Sequence, residues 1–211
     1  MLNLKKYFKL IYKDFLTQKQ MVAISVFYAF IIPVFSLSQD HVFAAINTLM
    51  VTLIFMLNAC YFYFKEKQKG EDFLITTSYT RTDLVLSKYV FLILISIFQI
   101  GTSYLFCCFN SGFDLVNVNL IISFLLNVLF ANIAIACMTP FCFLNWNAFL
   151  KTVICVVLLW LMECLPMYIK FDGMIISLGF KYAACICIIL SVVVIGLSIF
   201  ISDKIFRIQD L

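Results

Sequence analysis

Six stretches of roughly twenty residues, each almost wholly apolar, decide what this chain can become. About 20 such residues are what a helix needs to cross the hydrocarbon core of a bilayer. The stretches run 20–38, 42–64, 89–109, 118–139, 149–168 and 182–202. Their apolar runs are continuous and lack the period-two alternation of a barrel strand, so each is expected to be a helix. Of the 211 residues 64% are hydrophobic and 12% charged, against about 25% charged in a soluble domain. A chain of this size has too little interior to hide that much apolar surface from water. A soluble enzyme, a disordered tail and a secreted disulfide scaffold are thereby excluded. The expected fold is all-α integral membrane, with one six-span domain over 20–211 and a separate amino-terminal helix over 1–19.

The charges set the orientation. Six spans place both termini on one side, and all 15 Lys and Arg except Lys170 and Lys181 fall on that side. By the positive-inside rule it is the cytoplasmic one. The formal net charge of +4 then reflects topology and anionic lipid headgroups, and nucleic acid is not an expected partner. The connections on the other side are short, leaving no room there for a ligand-receiving domain.

Residues 2–18 carry an amphipathic pattern. At about 100° per residue, Leu4, Tyr7, Phe8, Leu10, Ile11 and Phe15 share one face, with Lys5, Lys6, Lys9 and Lys13 opposite. Such a helix suits the interface of an anionic leaflet; the alternative is a lysine-rich flank that only sets topology. Asp14, at the edge of the apolar face, is the position suited to a protein contact.

The cytoplasmic loop 65–88 is the longest polar segment and the only one dense in both charges: KEKQKGEDFLITTSYTRTDLVLSK. Gly70 breaks the chain, and Glu71 and Asp72 suit the positive end of a helix dipole. Phe73, Leu74 and Ile75, followed by Thr76, form an apolar patch too short to span. Either a partner protein covers it or it folds onto the bilayer surface. Thr80 and Asp83 have the spacing of a capping box. The expectation is a short cytoplasmic helix, a turn, and a second helix running into the third span.

At this loop the chain resembles the type-2 ATP-binding-cassette permeases, particularly small six-span bacterial ones. The residues that carry the resemblance are Glu66, Lys67, Gly70, Leu74, Thr80, Arg81, Asp83, Leu84, Val85, Ser87, Lys88 and Tyr89; Ser78 stands where the family usually has proline. The amphipathic amino-terminal helix and the span count extend the likeness over the whole chain. The resemblance implies a permease of the bacterial cytoplasmic membrane with a coupling helix at Glu71, Asp72, Phe73, Leu74, Ile75 and Thr76, with Arg81 beyond it. That helix would seat in a groove of a separate ATPase subunit. No phosphate-binding loop of the GxxxxGK[ST] kind occurs here, so ATP and Mg belong to the partner and this chain needs no cofactor of its own. The resemblance further implies two permease chains, a homodimer or a pair of similar chains, exporting by alternating access. Among the small members similar to this chain are exporters of amphipathic cytolytic peptides such as phenol-soluble modulins.

Glu163 is the one acidic residue well inside a span, where a carboxyl is costly unless protonated, paired or facing a wet cavity. It is read either as a cavity residue or as a side chain near the outer interface. Asn47, Thr48, Thr52 and Asn58 in the second span, and Asn127 and Asn132 in the fourth, suit interhelical hydrogen bonds. By the resemblance alone, Thr48, Phe55, Asn58, Trp160 and Glu163 become candidates for lining a substrate cavity between spans two and five. Nine cysteines without a CxxC motif, mostly at apolar span positions, suit packing. His41 is the only histidine, so neither a metal site nor a catalytic set is expected. The rival classes are a membrane immunity protein, an exporter of lipids or hydrophobic drugs, and the substrate-capture subunit of an importer.

Overall fold

The computed structural model of the chain describes residues 4–20, 79–110, 118–144, 146–168 and 180–208, together with Val22, Ala23, Ile24, Val26, Phe27, Ile54, Met56 and Leu57. Most of the first two expected spans and the loop segment 65–78 lie outside them. Among the described residues there is no strand. The helices are α1 (Leu4–Thr17), α2 (Arg81–Asn110), α3 (Val118–Met138), α4 (Ala148–Tyr168) and α5 (Phe180–Ile208).

Three of these segments are long and apolar enough to cross a membrane: Arg81–Leu105, Phe124–Phe143 and Ala184–Ile208. Ala148–Met162, in the fifth expected span, is apolar but shorter. The third expected span begins at residue 89, yet its helix starts at Arg81, because the capping box stops it there and nothing between Arg81 and Tyr89 breaks it. At 1.5 Å per residue, the 30 residues of α2 cover about 45 Å, more than a hydrocarbon core of about 30 Å. Its polar first turns therefore extend past the apolar slab.

Between α3 and α4 the chain is only mildly polar, and the reversal is made by backbone chemistry. Pro140 opens a 3-10 helix, Thr139–Phe143, which ends as Leu144 turns extended (φ −72°, ψ 142°). Asn147 then caps α4, its Oδ1 accepting from the Leu150 amide at 2.9 Å, the role for which Asn is favoured at helix starts.

α2 is central. It packs against α1, α3 and α5, and Leu84, Val85, Tyr89, Phe91, Leu92 and Ile95 are buried along it. It runs antiparallel to α3, with Tyr104 and Phe124 rings 5.2 Å apart. α5 makes its most extensive contacts with α3. Its buried stripe is Cys187, Ser191, Ser198, Ser202 and Phe206; all but Phe206 are small residues that let helix backbones approach closely where no water drives association.

α1 corrects the sequence reading in one respect. The expected single apolar face divides into two. Leu10, Asp14 and Gln18 are buried, with Tyr7 and Ile11 half-buried beside them, and this stripe packs on α2. Phe8, Tyr12, Phe15 and Leu16 form a neighbouring stripe that stays exposed. The apolar residues of α1 cover more than half the helix circumference, so counting them as one face merged two. Asp14 proves to be at a protein contact, 6% exposed, with Lys13 Nζ 3.8 Å from its carboxylate.

Candidate functional site

The polar groups of the bundle converge at one end, where the 65–88 loop enters α2. The entry is fixed by a reciprocal cap. The Asp83 amide donates to Thr80 Oγ1 at 3.2 Å, and the Thr80 amide donates to Asp83 Oδ2 at 2.9 Å. Two amides of the first turn are thereby satisfied by side chains three residues apart. The second carboxylate oxygen of Asp83 accepts from Tyr7 Oη at 2.7 Å, which ties α1 to the same turn. That bond is the main reason the Tyr7 phenol is raised above its usual 10.0, with burial and the charge of Asp83 adding to it.

On the other side of the turn, Thr82 Oγ1 donates to Asp203 Oδ1 at 3.0 Å and accepts from Arg207 at 3.1 Å. Arg207 and Asp203 are themselves paired at 2.9 Å, one helical turn apart on α5. An exposed pair of this kind contributes only about 0–1 kcal/mol, so its value here is geometric. Arg81 lies 6.0 Å from the centroid of the Phe206 ring, and Phe206 stacks at 5.4 Å on Phe143 of the 3-10 helix. The start of α2 is thus bound to α1, to the end of α5 and to the turn that follows α3.

About two turns further in, the polar network continues inside the bundle. Tyr89 is fully buried and its hydroxyl meets Ser198 Oγ and, at 2.8 Å, Ser202 Oγ. Ser198 donates to the Ala136 carbonyl at 2.7 Å. A serine hydroxyl has one hydrogen, so Tyr89 must donate to Ser198, and Ser202 must donate to Tyr89. The chain Ser202–Tyr89–Ser198–Ala136 links α5, α2 and α3 with every hydroxyl used. Lys88 beside it is buried, its Nζ 5.6 Å from the Phe91 ring centroid.

The candidate residues from sequence fall unevenly on this structure. Arg81 sits in the junction. Glu71, Asp72, Phe73, Leu74, Ile75 and Thr76 lie outside the described residues, as do Thr48, Phe55 and Asn58. Trp160 is on α4 and 63% exposed. Glu163 falls within the α4 helix, but its side chain lies outside the described residues. Among the described residues no group of His, Cys, Asp or Glu is placed to hold a metal, and Cys185 and Cys187 are free thiols.

The capping box was visible in the sequence because both partners are local. Tyr7, Thr82, Asp203 and Arg207 were not, since their contacts join residues 76 to 125 positions apart. A signal for the buried hydroxyl chain did exist: Ser191, Ser198 and Ser202 recur at helical spacing in an otherwise apolar run.

Neither a curated protein nor a solved structure matches this chain. A family model described as ABC-2 family transporter protein matches residues 9–207, which takes in most of α1, the loop, every junction residue except Tyr7, and nearly all of α5. The chain belongs to the ABC-2 family of transporter proteins, as a multi-pass, non-catalytic membrane permease subunit.

Proposed function

We propose that this permease is the membrane half of an ATP-driven exporter that moves amphipathic cytolytic or antimicrobial peptides out of a bacterial cell. Two permease chains, in the simplest case identical, work with two ATPase subunits that bind ATP and Mg. Both termini face the cytoplasm. The observation that carries the coupling part of this reading is the junction at Thr80–Asp83, which fastens the exit of the 65–88 loop to α1, α5 and the turn after α3. ATP-driven closure of the ATPase pair pushes on Glu71 to Thr76, and the junction passes that displacement to the helices as a body. Peptide as cargo rests on likeness to small exporters without external domains and on the abundance of apolar aromatic surface, including 24 Phe.

Co-expression with an ATP-binding-cassette ATPase subunit from the same cell, purifying through a tag on one subunit, tests the coupling. The complex should survive the tag purification, and Glu71→Lys with Asp72→Lys, or Phe73→Ala, should break it. A permease that purifies alone, with loop variants indistinguishable from wild type, overturns the exporter reading. In nanodiscs, helical amphipathic peptides should stimulate ATPase activity. Stimulation by lipids or hydrophobic drugs alone would replace the cargo while leaving the machine in place.

A further inference from the structure

The two stripes of α1 do different things. Tyr7, Leu10, Ile11, Asp14 and Gln18 are taken up by contact with the bundle. Phe8, Tyr12, Phe15 and Leu16 are exposed, at 70%, 62%, 45% and 48%. Lys9 and Lys19, also exposed, accompany this second stripe. Aromatic and leucine side chains flanked by lysines match the headgroup boundary of an anionic leaflet in both polarity and charge. The helix also sits at the end of the bundle where α2 and α5 outrun the hydrocarbon. A side-chain hydrogen bond, Tyr7 to Asp83, joins it to the loop exit.

We propose that α1 is a sensor of anionic lipid: docking of its exposed stripe on the leaflet tightens the loop exit at Thr80–Asp83 through the Tyr7–Asp83 hydrogen bond. The occupant is a lipid surface bearing negative headgroups. This rests on the reading above only in placing that end of the bundle at the inner leaflet. It needs no ATPase to be observed, so a failed co-purification and a failed lipid response are separate results.

Hydrogen exchange by mass spectrometry on the full chain provides the test, in nanodiscs of phosphatidylcholine alone and with phosphatidylglycerol added. Each lysine held at an anionic surface favours the docked state about fivefold. Exchange in α1 and across 79–86 should therefore slow by about fivefold or more when phosphatidylglycerol is present. Lys9→Glu with Lys19→Glu, both at exposed positions, should abolish both effects. Tyr7→Phe should keep the slowing in α1 and lose it across 79–86. Unchanged exchange around Tyr89 in every variant shows that the bundle is intact. Equal exchange in the two lipid compositions overturns the proposal. So does a Tyr7→Phe variant whose 79–86 segment still responds, or protection of α1 that appears only when an ATPase is added.

Discussion

α2 and α5 lie antiparallel and hydrogen-bonded to each other, yet they are built to opposite rules. In the most apolar stretch of α2, with mean hydropathy 2.0, 61% of the residues are buried; in that of α5, with mean hydropathy 3.0, only 17% are. In water the more apolar helix would be the hidden one. Here the more polar helix is inside, carrying Ser87, Lys88, Ser96, Gln99 and Ser103 as buried residues. Val192, Val193, Leu197 and Phe200 of α5 face outward. In a bilayer the apolar solvent is outside, so burial follows polarity and close packing instead of hydropathy. The few polar residues of α5 obey the same logic, since Ser191, Ser198 and Ser202 all sit on its one buried stripe.

The sharpest way to break this contrast is to empty the centre of α2. Tyr89→Ala removes a fully buried ring and the middle of the hydroxyl chain, and should cost about 3–5 kcal/mol, read as unfolding in detergent or bicelles. Val192→Ala on the exposed face of α5 should leave the same measurement nearly unchanged, because lipid fills the space. Equal losses at the two positions would mean that α5 is packed against something in the isolated chain. The outer face is instead sensitive to charge. Val192→Asp should raise the cost of membrane insertion by about 2.5–3.5 kcal/mol, measured by a glycosylation-mapping assay. An insertion efficiency equal to wild type would show that this face lines a wet cavity.

Much of this architecture is legible in the sequence because it is written locally. The apolar runs gave the ends of α3 and α4 to within a residue, and Thr80 with Asp83 announced the start of α2 eight residues ahead of its apolar run. What stayed hidden depends on which helix faces meet. Nothing local distinguishes Tyr7 from Phe8 until Asp83 is brought to one and not the other. The candidate site divides the same way: the cap is a short-range pattern, while the ties to Asp203 and Arg207 exist only once α5 returns antiparallel to α2. Trp160 was assigned to a cavity by likeness alone, and Glu163 by likeness together with the cost of a carboxyl inside a span.

Smaller substitutions sharpen the comparison between the interior of α2 and its polar first turn. Tyr89→Phe keeps the ring and removes one hydroxyl, stranding the Ser202 donor, and should cost about 1–2 kcal/mol. Thr80→Ala removes the cap from the first turn and should cost about 1 kcal/mol. The two should differ in kind as well. Losing the hydroxyl loosens α2 against α5 throughout, whereas losing the cap should raise amide exchange only in the first turn of α2. Uniform exchange changes from Thr80→Ala would show that the junction and the hydroxyl chain act as one unit.

The weakest tie is the one whose pH dependence is most specific. Tyr7 donates to Asp83, so the bond requires a protonated phenol, and its value in the folded chain is raised above 10.0. A group raised on folding stabilises the folded state fully below its unfolded value and loses that contribution as pH climbs through the folded one. The Tyr7 contribution should therefore be constant from about pH 6 to 9 and fade only above about pH 10. Because Tyr7 is only half-buried, its loss should be under about 1 kcal/mol. With ten tyrosines in the chain, absorbance would not isolate it, but the difference in thermal midpoint between wild type and Tyr7→Phe does. That difference should be flat through neutrality and shrink toward zero in strong alkali. A difference that instead grows with alkali would mean that the folded chain favours the phenolate, which cannot donate to the Asp83 carboxylate, and the Tyr7–Asp83 bond would no longer account for the tie.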